Sequence, residues 1–197
     1  MFDAQTMTWS QAQPLSQARA LSAATVVGNK VIFAGGIDGA LNPSDVVDIY
    51  DADDGAPDNP AAWSQAVLSQ ARIHLAAATA GNQALFAGGA DFAGGFYDVV
   101  DIYDDLTGGW TTSQLSEARF LFTSASASKG NLAFFAGGQK PGGAKSDVID
   151  IYDAATQAWW TESLSVARYG VAASTLGDRV LFAGGQGPFP VVYDTVD

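Results

Sequence analysis

The sequence predicts an all-β fold assembled from four copies of one four-stranded unit. Three recurring phrases carry that reading. LSxAR occurs at Leu15–Arg19, Leu68–Arg72, Leu115–Arg119 and Leu164–Arg168, at spacings of 53, 47 and 49 residues. FAGG occurs at Phe33–Gly36, Phe86–Gly89, Phe135–Gly138 and Phe182–Gly185. DIYD occurs at Asp48–Asp51, Asp101–Asp104 and Asp150–Asp153, with VVYD at Val191–Asp194. Four of the five tryptophans, Trp9, Trp63, Trp110 and Trp159, precede LSxAR by five or six residues. Self-similarity at such a period marks a repeat architecture.

Each repeat reads as four strands in order. Strand A is small and apolar: AATVV, LAAATA, TSASA and VAAST. A hairpin turn follows at Gly28-Asn29, Gly81-Asn82, Gly130-Asn131 or Gly177-Asp178. Strand B is VIFAGG or its equivalent, and the glycine pair ends it by allowing positive φ and close backbone approach. Strand C is VVDIY, VVDIY, VIDIY and the shorter VVY, and strand D carries the tryptophan. Runs this short leave no room for a helix of normal length. Strands B and C are apolar on both faces, so each sheet is sandwiched between neighbours as a propeller blade is. Phe33, Phe86, Phe135 and Phe182 are therefore expected between blades.

A di-glycine after an apolar strand, then a tyrosine, then a spaced tryptophan resembles the kelch repeat. The resemblance covers nearly the whole chain. It implies a kelch-like β-propeller of four blades with four antiparallel strands each, sixteen in all. The chain departs from the family in having four repeats, fewer than kelch rings ordinarily hold, and in a short last strand C crowded by Pro188, Phe189 and Pro190. Residues 1–197 form one domain, with repeats at about 15–63, 68–110, 115–160 and 164–197, the last completed by 1–14. The chain opens on a strand D (Met7–Gln11) and closes after a strand C (Val191–Tyr193). A Velcro closure is thus expected, with the N-terminal strand completing the last blade. The alternative is an eight-bladed ring from two chains, so the protein is either a monomer or a head-to-tail homodimer. Closure of either kind removes open edges.

Composition limits the function. There are no cysteines, which removes disulfides, thiolate metal sites and cysteine nucleophiles. The single histidine, His74, cannot build a multi-histidine metal centre. The net charge is −12, from 19 Asp and 2 Glu against 9 Lys and Arg, which disfavours nucleic acid and anionic membranes as partners. The many aspartates suit turns. No stretch reaches the ~20 apolar residues of a membrane span, and residues 1–10 lack a basic start followed by an apolar run. Neither a transmembrane segment nor a signal peptide is expected, and the compartment stays unknown.

The B–C and D–A loops must share one face of the ring, because strands alternate direction. That face gathers Arg19, Arg72, Arg119 and Arg168, whose guanidinium groups suit a carboxylate or acidic peptide. Their presence in every repeat equally fits a tie between blades through carbonyls or the strand C aspartates. Phe92, Phe96, Tyr97 and Phe189 on the B–C loops are candidates to stack on sugars or anchor peptides, or to fold back over the blades. Asp38 and Asp91 follow the glycine pair and either accept ligand hydroxyls or form turns. Asp51, Asp53, Asp54 and Asp58 offer hard-cation ligands such as calcium would take, without EF-hand spacing; a solvated acidic turn is the default. No metal or other cofactor is expected.

Catalysis finds little support. A serine triad would have to use His74, no serine sits in a nucleophile elbow, and nothing positions a carboxylate pair. The kelch-related copper oxidase uses histidine and cysteine ligands that have no counterparts here. The reading is a non-catalytic binding or scaffold module presenting one propeller face to a protein or peptide. A carbohydrate-binding module, or a sialidase-like glycoside hydrolase using the arginines, is the alternative.

Overall fold

Small apolar strands joined by Gly-Asn turns form the expected hairpins in the computed structural model, which describes residues 1–121 and 126–197. In chain order the strands are β1 (Phe2–Asp3), β2 (Thr8–Trp9), β3 (Arg19–Ala20), β4 (Ala23–Val27), β5 (Lys30–Ala34), β6 (Ile37–Asp38), β7 (Val46–Asp51), β8 (Trp63–Val67), β9 (Ala76–Ala80), β10 (Gln83–Ala87), β11 (Val99–Asp104), β12 (Gly109–Gln114), β13 (Ser126–Lys129), β14 (Leu132–Ala136), β15 (Val148–Asp153), β16 (Ala158–Ser163), β17 (Ala172–Leu176) and β18 (Arg179–Ala183). Residues 123–125, the start of the expected strand A of the third repeat, lie outside the described residues. Three antiparallel four-stranded sheets result, ordered β4-β5-β7-β8, β9-β10-β11-β12 and β13-β14-β15-β16. The fold is all-β: the helical pieces among the described residues are 3-10 turns at Ala52–Asp54, Pro60–Ala62 and Pro141–Gly143. Among the described residues no helix is long and apolar enough to cross a membrane.

Successive sheets pack face to face through their first strands, β4 on β9, β9 on β13 and β13 on β17. The alanine-rich sequence of β9 permits this crowding, since Ala76, Ala78 and Ala80 are all buried. Between the first two sheets, Phe86 and Tyr103 of the second enter a core with Ile32, Val47, Ile49 and Leu68 of the first. Phe135 and Tyr152 of the third sheet meet Leu85, Val100 and Ile102 of the second in the same way. Phe86, Phe135 and Phe182 are buried as expected. Phe33 is half-buried, because no sheet precedes its face in the chain.

The glycine pair makes the sheet-to-sheet junction. Gly88 has φ +64°, and a Cβ there would stand 2.6 Å from the Arg119 carbonyl oxygen of the next repeat. The neighbouring Gly89 N–H donates to that same carbonyl at 3.0 Å. Only a residue without a side chain permits both the backbone twist and the approach.

Two expectations need correction. The last strand C is not Val191–Tyr193. Residues 195–197 pair beside β18 instead, through bonds of 2.9 Å between Phe182 and Asp197 and from the Gly184 N–H to the Thr195 carbonyl. VVYD matches DIYD by letter and not by register, because the aspartate paired with the arginine comes twelve residues after the second glycine in every repeat: Asp48, Asp101, Asp150 and Asp197. Nor does the N-terminal strand join β17 and β18 in this structure. Thr8–Trp9 pairs with Phe2–Asp3 in a hairpin of its own, and the Gln13 N–H donates to the Pro57 carbonyl at the first sheet.

Candidate functional site

The arginines of the recurring LSxAR phrase tie strands of the fold together. Arg72, Arg119 and Arg168 are fully buried, and the Arg19 side chain is too. Each pairs with the strand C aspartate: Arg19–Asp48 and Arg72–Asp101 at 2.7 Å, Arg119–Asp150 and Arg168–Asp197 at 2.6 Å. Each also donates to the carbonyl of the FAGG phenylalanine, as Arg72 does to Phe86 at 2.9 Å. The serine N–H of LSxAR donates to the other aspartate oxygen, at 2.8–3.1 Å in the four repeats. A guanidinium so enclosed presents nothing to a ligand, so the arginines leave the list of candidate contacts and the tie between strands is their role. The twelve-residue offset from the glycine pair marks the aspartate half of this tie in the sequence.

The B–C and D–A loops share one face, as expected. Short bridges join the residue after each arginine to the residue after each glycine pair, and that residue to the end of the B–C loop: Ile73 to Ala90 to Phe96, Phe120 to Gln139 to Lys145, and Tyr169 to Gln186 to Val192. Phe96 stacks on Phe120 with ring centroids 5.4 Å apart, and the His74 ring lies 5.6 Å from that of Phe120. One repeat on, the corresponding pair is Lys145 over Tyr169, with Nζ 4.2 Å from the ring centroid. The scaffold positions are the same while their chemistry changes. Phe92 and Phe189 stand out into solvent, and Phe96 and Tyr97 are half-buried. Phe120 and His74 are members that sequence reading missed. The signal for them was their place just after the arginine, opposite the end of a B–C loop.

Asp38 and Asp91 order their own loops. Asp38 accepts from the Ala40 and Asn42 N–H groups at 2.9 and 2.8 Å. Asp91 accepts from the Tyr97 hydroxyl at 2.5 Å and the Gly95 N–H at 2.7 Å. The Tyr97 hydroxyl, then the Gly95 amide, hold the Asp91 carboxyl below its ordinary value of 3.8. A carboxyl depressed in this way favours the ordered loop above its unfolded pKa, and that preference is lost as pH falls through the lower folded value. Tyr97→Phe should raise the Asp91 pKa toward 3.8 in a carboxyl-carbon NMR titration. An unmoved titration would mean the hydroxyl does not hold the carboxylate. Burial pushes the His74 pKa down, which keeps the ring neutral at pH 7.

The calcium candidates do not converge. Asp51 pairs with Lys30 at 2.9 Å and caps the 3-10 turn through the Asp53 N–H, while Asp53 accepts from the Asn29 amide at 2.9 Å. Among the described residues no three His, Asp or Glu side chains gather as a metal site. A separate groove of about 390 Å³ runs between the outer strands of the second and third sheets. Trp159, Tyr152, Gln83, Asp104, Thr111 and Thr112 line it.

No protein-family model and no curated protein matches the chain. Among solved structures, one titled "Structure of YjhT" is similar with a TM-score of 0.68 at 17% identity, over 91% of this chain. This chain spans 63% of the length of that structure. At this identity the likeness shows a shared fold alone.

Proposed function

We propose that the chain is a kelch-like propeller unit whose B–C and D–A loop face binds a protein or peptide without catalysing a reaction. The observation that carries this is the Phe96–Phe120–His74 row, flanked by the exposed Phe92, on a face whose frame repeats and whose side chains do not. Variation on a rigid frame is how loops acquire specificity, and aromatic rings on such a face are efficient anchors. Asp38 and Asp91, which follow the glycine pair in the first two repeats, are committed to turns and leave binding by shape and stacking. The net charge of −12 turns phosphate-rich partners away.

A hydroxyl-rich ligand such as a carbohydrate is the second reading. It draws on the groove beside Trp159, where one indole and one phenol stand among threonine hydroxyls, an amide and a carboxylate.

Peptide and glycan arrays would identify a ligand. Phe92→Ala and Phe96→Ala should then weaken a peptide ligand by about tenfold or more each. Changes at Asp53 and Asp54, on the opposite loops, should leave it bound. Loss from the aspartate changes alone would place the site elsewhere.

A further inference from the structure

The junctions between sheets share one backbone plan and differ at their outer edges. At the first junction Lys30 stands between Asp51 of its own sheet and Asp105 of the next, 2.9 Å from each. At the second junction Gln83 takes the place of Lys30 and Ala154 that of Asp105. The charged clasp across the edge is thereby gone. The strand D residues change as well. The first sheet sets Ser64 and Ala66 opposite Ile49 and Val47, while the second sets Thr111 and Ser113 opposite Ile102 and Val100. The groove of about 390 Å³ lies at this second, hydroxyl-rich edge. Two hollows continue it. One of about 230 Å³ shares Gln83, Asp104 and Gln157 with it and reaches Ala154, where the clasp would stand. The other, of about 560 Å³, shares Thr112, Ser113 and Trp159 and reaches Gln114. Together they follow β12 from end to end, about 17 Å at the rise of an antiparallel strand.

We propose that this cleft binds an uncharged linear oligosaccharide, with several sugar rings laid along β12 between the second and third sheets. The proposal rests on the carbohydrate reading above and is separate from the loop face. The cleft holds a flat ring in place. Trp159 is half-buried, with Tyr152 and Phe135 behind it at ring-centroid distances of 4.9 and 6.3 Å. An indole fixed in this way offers apolar area at little cost in entropy, and the C–H face of a sugar ring matches it. Beside the ring runs a row of oriented polar groups. The Tyr152 hydroxyl donates to Gln83 Oε1 at 2.8 Å, and Gln83 Nε2 donates to Asp104 Oδ2 at 3.1 Å. Asp104 Oδ1 in turn accepts from the Leu106 and Thr107 N–H groups at 3.1 and 3.0 Å. Gln83 keeps a second amide hydrogen, each oxygen keeps a lone pair, and Thr111 and Thr112 present exposed hydroxyls. A few fixed polar groups converging beside a ring are the makeup of a small-molecule site. Charge narrows the class. No Lys, Arg or His lines the three hollows. The Gln83 amide, then the Thr107 N–H, hold the Asp104 carboxyl below its ordinary value and so ionised at pH 7. An acidic sugar would meet that carboxylate with no cation to offset it.

NMR titration of the ¹⁵N-labelled full chain with cellotetraose, xylotetraose, mannotetraose and maltotetraose, each against its monosaccharide, tests the proposal. At least one tetrasaccharide should shift the Trp159 indole N–H and the amides of Thr111, Thr112 and Ser113. It should bind about tenfold or more tighter than its monosaccharide. Tetragalacturonate, which is acidic, should leave those signals in place. Gln83→Lys with Ala154→Asp restores the clasp that the first junction already accommodates. That pair should keep the far-ultraviolet circular dichroism and weaken the tetrasaccharide about tenfold or more. Trp159→Ala should weaken it at least as much. Should loss of the indole unfold the protein, the exposed Thr111→Val still reads the site, with a loss of about threefold or more. Phe96→Ala, on the loop face, should leave sugar binding intact, so failure of the peptide reading would not move this result. Equal affinity for monosaccharide and tetrasaccharide would overturn the extended cleft and leave a single-sugar site beside Trp159. No shift with any of the neutral sugars would overturn the proposal and the carbohydrate reading together. Tighter binding of tetragalacturonate, or binding indifferent to both Thr111→Val and the restored clasp, would overturn the proposal.

Discussion

Asp101→Ala should destabilise the protein by about 3–5 kcal/mol, the cost of leaving one half of a buried ion pair without its partner. The Arg72 side chain is 0% exposed and Asp101 4%, so solvent does not screen the pair. Removing the carboxylate strips Arg72 of its charge partner at 2.7 Å and the Ser69 N–H of its acceptor at 2.8 Å. The double change Arg72→Met with Asp101→Leu should cost less than either single change, because no charge then stays enclosed. Urea denaturation of the four proteins measures the coupling. A loss under about 1 kcal/mol for Asp101→Ala would mean that water reaches the guanidinium. Asp197→Ala should cost less than Asp101→Ala, since Asp197 is 22% exposed.

Phe135→Ala should cost about 3–5 kcal/mol as well, by a different route. The ring is 0% exposed, packs 6.3 Å from Trp159 and fills the space between the second and third sheets. Truncation leaves a cavity walled by strand backbones that cannot collapse into it. Phe33→Ala removes the same ring from an uncovered face and should cost clearly less. Equal losses at the two positions, read from thermal or urea midpoints, would show that the first sheet's aromatic face is covered in solution.

Much of the architecture was legible because the repeat fixes it four times. The glycine pair, the strand lengths and the burial of the second phenylalanine onward follow from local rules on backbone freedom and apolar patterning. The arginines were harder. Arginine on a loop face reads as a ligand contact, and only the placement of Asp48, Asp101, Asp150 and Asp197 beneath it turns it inward. The offset of those aspartates from the glycine pair was present in the sequence, yet the tyrosine of VVYD drew attention to the wrong segment. Pairing of the N-terminal strand was not legible at all. Thr8–Trp9 forms a local hairpin with Phe2–Asp3 on a chain reversal of four residues, and a contact that local competes readily with one requiring the far end of the chain. Stacking of Phe96 on Phe120 joins two loops from different repeats, which no spacing rule anticipates.

The face-to-face stacking of β4, β9, β13 and β17 has a consequence for how the molecule comes apart. Among the described residues each sheet makes its main contacts with the one before and the one after, so stability is close to a one-dimensional sum of unit terms and nearest-neighbour terms. The middle sheets hold two neighbours each and the outer ones hold one. Opening therefore begins by fraying from the two ends, and amides of β10, β11 and β14 exchange last while those of β18 exchange early. The loop row built on Phe96 and Phe120 sits over the innermost junction of this array, at the position that fraying reaches last.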